Sequence, residues 1–310
     1  MIQLDAPSVL LQWSTGGLLF LWVTTRHRLL GAGYGWLLRS SYAILAAMAF
    51  AIGLKFDFLP GRDLPALGVA VAATAVTVES FRLRHTGVDP TAAVVPLEAA
   101  AAEITPIKFG AVSASARSEA GRGAVSGSAR SRATGVAVVD ADKAQAKAFD
   151  PRLDLIAPAI GLVGLIVAGI NAGDPAWLSV SRMLVGAAFL GVVTDSMLLG
   201  HWYLVQPGLS REPLVELVRW VGGLWLPEVA LLLVPVGMVS VWTGTIDDGY
   251  AGMLGWFWAA CVVTTIGLVF VTLAALRERQ YAAVMAATGL LYLAILTGFG
   301  IDLVARASLA

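Results

Sequence analysis

Residues 153–173, LDLIAPAIGLVGLIVAGINAG, are followed almost at once by residues 177–205, WLSVSRMLVGAAFLGVVTDSMLLGHWYLV. A helix crosses the hydrocarbon layer of a bilayer with about 20 mostly apolar residues, and both runs meet that length. Irregular backbone facing lipid would leave its N–H and C=O groups unsatisfied, so each run reads as a helix. The same test, worked outward, marks residues 8–25, 36–55 and 63–82 before this pair and 218–243, 250–276 and 281–304 after it. The expectation is an all-α fold: a polytopic integral membrane bundle of about eight transmembrane helices. Composition points the same way. Of 310 residues, 58% are hydrophobic and 14% charged, and the mean hydropathy is +0.78. Soluble domains carry about a quarter charged residues, and disordered chains are poor in apolar ones.

Three parts follow from the hydropathy pattern: residues 1–84 with three spans, residues 85–150 as a linker loop, and residues 151–310 with five spans. Lys and Arg fall mostly on one side of these spans. Seventeen of the 21 basic residues lie in alternate gaps, ten of them within residues 82–152. Under the positive-inside rule that loop is cytoplasmic, both termini lie outside, and the membrane is the cytoplasmic (inner) one. The first run lacks the basic n-region of a cleaved signal and reads as a retained span. Residues 111–148 are low-complexity and rich in Ala, Ser, Gly and Arg, without an aromatic residue. Such a segment buries too little apolar surface to offset its ordering entropy, so a flexible tether is expected. Residues 97–103 read as a short helix. Other membrane-complex subunits or anionic lipid are candidate partners for the loop. Equal numbers of acidic and basic residues argue against a nucleic-acid partner. The lone Cys261 has no disulfide partner in the chain.

Ionisable side chains inside spans cost at least about 2.5–3.5 kcal/mol each at the helix centre. Glu79, Arg182, Asp195, His201, Glu228 and Asp302 qualify. Glu228 sits in VGGLWLPEVALLLVPVG (221–237), about 16 Å into its span at 1.5 Å per residue. Pro227 and Pro235 flank it, each removing a backbone donor. Asp195 and His201 are six residues apart, about 240° around the helix, so they do not share a face. Thr194 does share a face with His201. Tyr203 and Trp202 close the span as an aromatic belt. Arg182 and Asp302 are expected to form a structural ion pair across the bundle, with Arg306 one turn after Asp302 as a competitor.

The three histidines, His27, His85 and His201, all map to the basic side. A haem held by two of them is disfavoured, because Arg26, Arg28, Arg82 and Arg84 place His27 and His85 among lipid headgroups. No carboxylate–histidine spacing supports a metal. The run Met197-x-x-x-His201-x-x-Leu204 resembles a loose pattern seen at quinone pockets of respiratory membrane proteins. There an imidazole donates to a quinone carbonyl while apolar neighbours hold the ring. Eight spans in a chain of this length also look like the membrane anchors of quinone-linked oxidoreductases. The resemblance implies quinone as ligand.

The leading expectation is therefore a quinone- or proton-handling membrane subunit of an electron-transfer system. His201, Asp195 and Glu228 would share a polar cavity between the fifth and sixth spans, with Thr194 and Tyr203 nearby. A proton-coupled small-solute transporter with Glu228 as coupling carboxyl is the first alternative. A non-catalytic scaffold or assembly subunit is the second. Neither Walker spacing nor a nucleophile elbow marks the chain as an enzyme. The ends of the first and fifth spans, VTTRHRLLGAGY (23–34) and VVTDSMLLGHWY (192–203), also hint at a 4+4 duplication.

Overall fold

The computed structural model describes residues 5–83, 149–206, 208–234 and 237–309. His85, the short helix expected at 97–103 and the low-complexity stretch 111–148 lie outside the described residues. Of the described residues 86% are helical and none is in a strand. The helices are α1 Ala6–Thr25, α2 Ala32–Phe56, α3 Pro60–Arg82, α4 Ile156–Ala172, α5 Ala176–Val205, α6 Glu212–Leu233, α7 Gly237–Trp242, α8 Met253–Arg277 and α9 Tyr281–Leu309. A 3-10 turn, Pro151–Leu155, leads into α4. Seven of them, α1 to α5, α8 and α9, are long and apolar enough to cross a membrane.

The expected sixth span differs from what is observed. It begins at Glu212 rather than at residue 218, and it ends at Leu233. Val234 is extended (φ −95°, ψ 143°). A residue before proline is pushed out of the helical region, and Pro235 follows. Helix resumes only in the six-residue α7. With Glu212, Glu216, Arg219 and Glu228 on one 22-residue helix, α6 falls outside the group of seven.

The described residues within 1–82 and 149–310 form one compact unit. Helices α1 and α5 run through its centre and are the most buried. On one side lie α2, α3 and α4; on the other lie α6, α8 and α9. Glycines make the central crossing possible. A Cβ on Gly191 of α5 would lie 2.1 Å from the Gly16 carbonyl carbon, and one on Gly16 of α1 would lie 1.7 Å from the Ala187 oxygen. The two backbones touch where each has only hydrogen, the small-residue packing by which helices associate without a hydrophobic driving force.

The outward faces are apolar: Ile44, Leu54, Val263, Phe270 and Leu296 are exposed. The interior holds Gln12, Thr15, Arg39, Asp195, Thr265 and Arg306. Contiguous exposed apolar surface of this kind marks contact with lipid or another protein.

The two ends of the bundle are tied differently. At the end holding Arg26 and Arg211, Arg39 of α2 grips Asp154 with two bonds of 2.6 and 2.9 Å. Thr25 donates to the same carboxylate at 2.9 Å, and Phe149 lies under the guanidinium at 4.6 Å. At the opposite end Arg62 joins Asp5 and Asp63 at 2.6 and 2.7 Å and the Asp57 carbonyl at 2.6 Å.

Candidate functional site

Helix α6 stops inside the bundle, and that termination organises the polar centre. The last carbonyls of a helix lack intrahelical donors. Arg182 of α5 supplies them. Its Nε donates to the Leu231 oxygen at 2.9 Å and its Nη2 to the Val234 oxygen at 2.5 Å. A cation at a helix C-terminus also opposes the helix dipole favourably.

This corrects the expected Arg182–Asp302 ion pair. Asp302 instead pairs with Arg306, one turn along α9, at 2.7 Å. Arg182 is already committed to the α6 carbonyls, and the i,i+4 neighbour on the same helix needs no tertiary adjustment to reach the acid. Arg306 extends the network by donating to Gln12 of α1 at 2.6 Å. Gln12 in turn donates to the Met183 carbonyl at 2.8 Å. Gly186 of α5 leaves room for this. A Cβ there would stand 3.1 Å from the Gln12 nitrogen and 3.2 Å from an Asp302 oxygen. Arg306 and Asp302 are buried, and Arg306 Nη1 has no hydrogen-bond partner.

Glu228 completes the cluster. It is 2% exposed, and its electrostatic neighbours are Asp302, Arg306 and Arg182. Pro227 lies within α6 immediately before it. No described residue donates a hydrogen bond to its carboxyl. Two guanidinium and two carboxyl groups from α5, α6 and α9 are thus electrostatic neighbours inside the bundle, and no described cation approaches Glu228 within ion-pair distance. Three of the four charged groups are held by hydrogen bonds, and Glu228 is not.

Asp195 belongs to a different place. It is fully buried, and its Oδ1 accepts from the Tyr42 hydroxyl of α2. Its neighbour Thr194 donates to the Leu190 carbonyl at 2.7 Å and accepts from Trp13 of α1 at 2.9 Å. Tyr203 donates to the Ser210 carbonyl. His201 is exposed, with Nδ1 3.1 Å from the Tyr292 hydroxyl of α9. The expected grouping of His201, Asp195 and Glu228 is therefore spread over three settings. Asp195 turns toward α2, His201 toward α9 at the surface, and Glu228 toward α5 and α9. The 240° between Asp195 and His201 along α5 already forbids a common face.

Gln12, Tyr42 and Tyr34 are the functional neighbours that the sequence does not single out. Uncharged polar residues carry little weight in a search for costly charges, yet Gln12, inside an apolar run, was a usable signal. His27 is exposed and lies 3.2 Å from Glu216. Among the described residues no group of three His, Cys, Asp or Glu is arranged to hold a metal. A cavity of about 560 Å³ lies at the basic end, between Arg26, His27, Arg211, Glu212, Glu216 and Arg219.

Outside the helices, Asp248 folds the loop between α7 and α8. Its carboxylate accepts from the amides of Gly252 at 2.8 Å, Tyr250 at 2.9 Å and Leu254 at 3.0 Å. These donors, Gly252 first, hold the carboxyl below the ordinary aspartate range.

The fold and this centre define a class: a helical bundle with apolar helices of membrane-spanning length around buried ionisable residues. No family model, curated protein or solved structure matches the chain.

Proposed function

We propose that the chain is an integral protein of the cytoplasmic membrane that moves protons, alone or together with a small solute, through the cluster of Arg182, Glu228, Asp302 and Arg306. The observation that carries this reading is Glu228: a carboxyl buried within the bundle, with two guanidinium groups and a second acid as electrostatic neighbours, yet held by no hydrogen bond. Buried charges that serve structure are paired and bonded. A carboxyl left free among compensating charges can change its own charge at modest cost, which a proton carrier needs. Protonation of Glu228 removes its repulsion from Asp302 and loosens its attraction to Arg182, the residue that caps α6. A charge change would thus be felt at a helix end that lies between two prolines.

With α6 counted as an eighth crossing, the distribution of Lys and Arg supports a cytoplasmic 85–150 loop with both termini outside. The cluster then lies in the outer half, near the start of α5 and the end of α9.

The test is flux. In vesicles holding the purified protein and an entrapped pH dye, an imposed pH difference should decay through wild-type protein. Glu228→Gln should lose most of that flux while retaining the wild-type melting midpoint. Unchanged flux in a folded Glu228→Gln protein overturns the reading.

One observation favours a quinone-handling reading of narrower form. His201 is exposed beside Tyr292 at the surface of the bundle, where a ligand dissolved in lipid would meet it, independent of Glu228. Quinone in a lipid extract of the purified protein, lost in His201→Ala, would support it. If Glu228→Gln and His201→Ala both leave flux and quinone content unchanged, a scaffold role is the reading that stands.

A further inference from the structure

Asp195 Oδ2 on α5 and the Tyr34 hydroxyl, in the first turn of α2, are buried polar atoms with no hydrogen-bond partner among the described residues. Both residues are fully buried. They are electrostatic neighbours of one another, and Thr24 of α1 and Tyr203 of α5 also lie beside Tyr34. A buried carboxylate oxygen without a donor costs a full desolvation penalty, and a buried hydroxyl without a partner adds its own. One change removes both. If Oδ2 carries a hydrogen, it can donate to the Tyr34 oxygen, directly or through one water, and the Tyr34 hydroxyl is then free to donate to Thr24.

We propose that Asp195 is a proton-binding site, separate from Glu228, whose proton completes a hydrogen-bonded chain from Tyr42 through Asp195 and Tyr34 to Thr24. The two ends of this chain are already made. Tyr42 donates to Asp195 Oδ1, and Thr24 donates to the Leu21 carbonyl at 2.8 Å. Protonation is a simple association: a proton from water at the basic end binds Oδ2 and neutralises the carboxylate.

The surroundings are built for a neutral acid. From α2 the facing groups are Tyr34 and Tyr42. From α1, Thr24 stands beside Tyr34, and Trp13 donates to Thr194, the residue before Asp195. From α5 itself, Tyr203 stands next to Tyr34. None of these carries a positive charge, and no described cation pairs with Asp195. This contrasts with Glu228, which faces two arginines. An unpaired carboxylate in such a site is the form that low dielectric disfavours.

Two packing features hold the chain in place. A Cβ on Gly17 of α1 would fall 2.0 Å from the Tyr42 ring, so the missing side chain is what lets Tyr42 reach Asp195. Tyr34 packs against the Trp202 ring, with centroids 5.8 Å apart. The chain ends at Thr24, beside Thr25, which is bonded to Asp154 at the basic end. It therefore runs from Asp195, two thirds of the way along α5, to the end of α1.

The inference does not depend on the role given to Glu228, and infrared spectroscopy of the full-length protein separates the two. At neutral pH wild type should show a carboxylic-acid carbonyl band that disappears in Asp195→Asn and persists in Glu228→Gln. Tyr34→Phe, which removes the acceptor, should shift that band. A band absent from wild type, or lost in Glu228→Gln instead of Asp195→Asn, overturns the proposal. If Asp195→Asn does not fold, Tyr34→Phe decides: a shifted band supports the chain and an unshifted one refutes it. Loss of flux in Glu228→Gln, or its absence, leaves this outcome untouched.

Discussion

Replacing Gly191 with alanine adds one methyl group where two helices meet backbone to backbone. The new Cβ would stand 2.1 Å from the Gly16 carbonyl carbon, 2.5 Å from its oxygen and 2.6 Å from the Gly17 nitrogen. Nonbonded carbons approach to about 3.5 Å, so α1 and α5 must separate by roughly 1.4 Å. No flexible side chain can absorb that displacement, because every atom met is backbone. Overpacking typically costs about 1–3 kcal/mol, and a clash against rigid backbone belongs at the upper end. For a chain of 310 residues about 3 kcal/mol lowers the melting midpoint by roughly 5 °C.

The comparison that isolates the effect uses the same chemical change elsewhere. Gly267 on α8 and Gly289 on α9 have nothing within 4 Å of an added Cβ. There alanine gains helix propensity, up to about 1 kcal/mol. Melting of the detergent-solubilised protein, followed by tryptophan fluorescence, should fall for Gly191→Ala and stay level or rise for Gly267→Ala and Gly289→Ala. A Gly191→Ala protein melting with wild type, or the three variants falling equally, would refute the α1–α5 crossing.

Three further outcomes follow from the charged contacts. Asp154→Ala should lower stability by about 3–5 kcal/mol, because it leaves Arg39 buried beside Phe149 without its carboxylate. The double change Arg39→Met with Asp154→Leu should recover much of that loss in the same melting assay. Arg182→Lys should cost about 1.5–3 kcal/mol, since one ammonium does not reproduce a guanidinium fork reaching both Leu231 and Val234. Amide exchange at the end of α6 would rise with it. Asp248 is held below the ordinary aspartate range by backbone donors, so its contribution is present above about pH 4 and fades as pH falls through its lowered value. Protection of the Tyr250, Gly252 and Leu254 amides, read by hydrogen exchange, should disappear on acidification. Asp248→Ala should remove it at neutral pH.

The spans were legible because hydropathy is a local property summed along the chain. Runs such as 153–173 and 177–205 read as helices wherever they are placed, and α4 and α5 occupy nearly those residues. The ends were less legible where charges enter a helix. The last helix was expected to stop at residue 304, yet α9 continues to Leu309. Arg306 is tolerated there because Asp302 and Gln12 bond to it. Hydropathy carries the sixth span past Pro235, whereas proline stereochemistry ends α6 at Leu233.

Glu228 and Asp195 stood out from composition alone, since lipid disfavours any carboxyl regardless of its neighbours. Their partners could not be read that way. Asp302 had two arginines to choose between, and the choice follows from where α6 ends and which carbonyls it leaves for Arg182. Tyr42 lies 153 residues from Asp195, and their meeting depends on Gly17 having no side chain in between. Helix identity comes from short-range energetics, which neighbouring residues carry. Charge pairing is a long-range contact, and it exists only once several helices have packed.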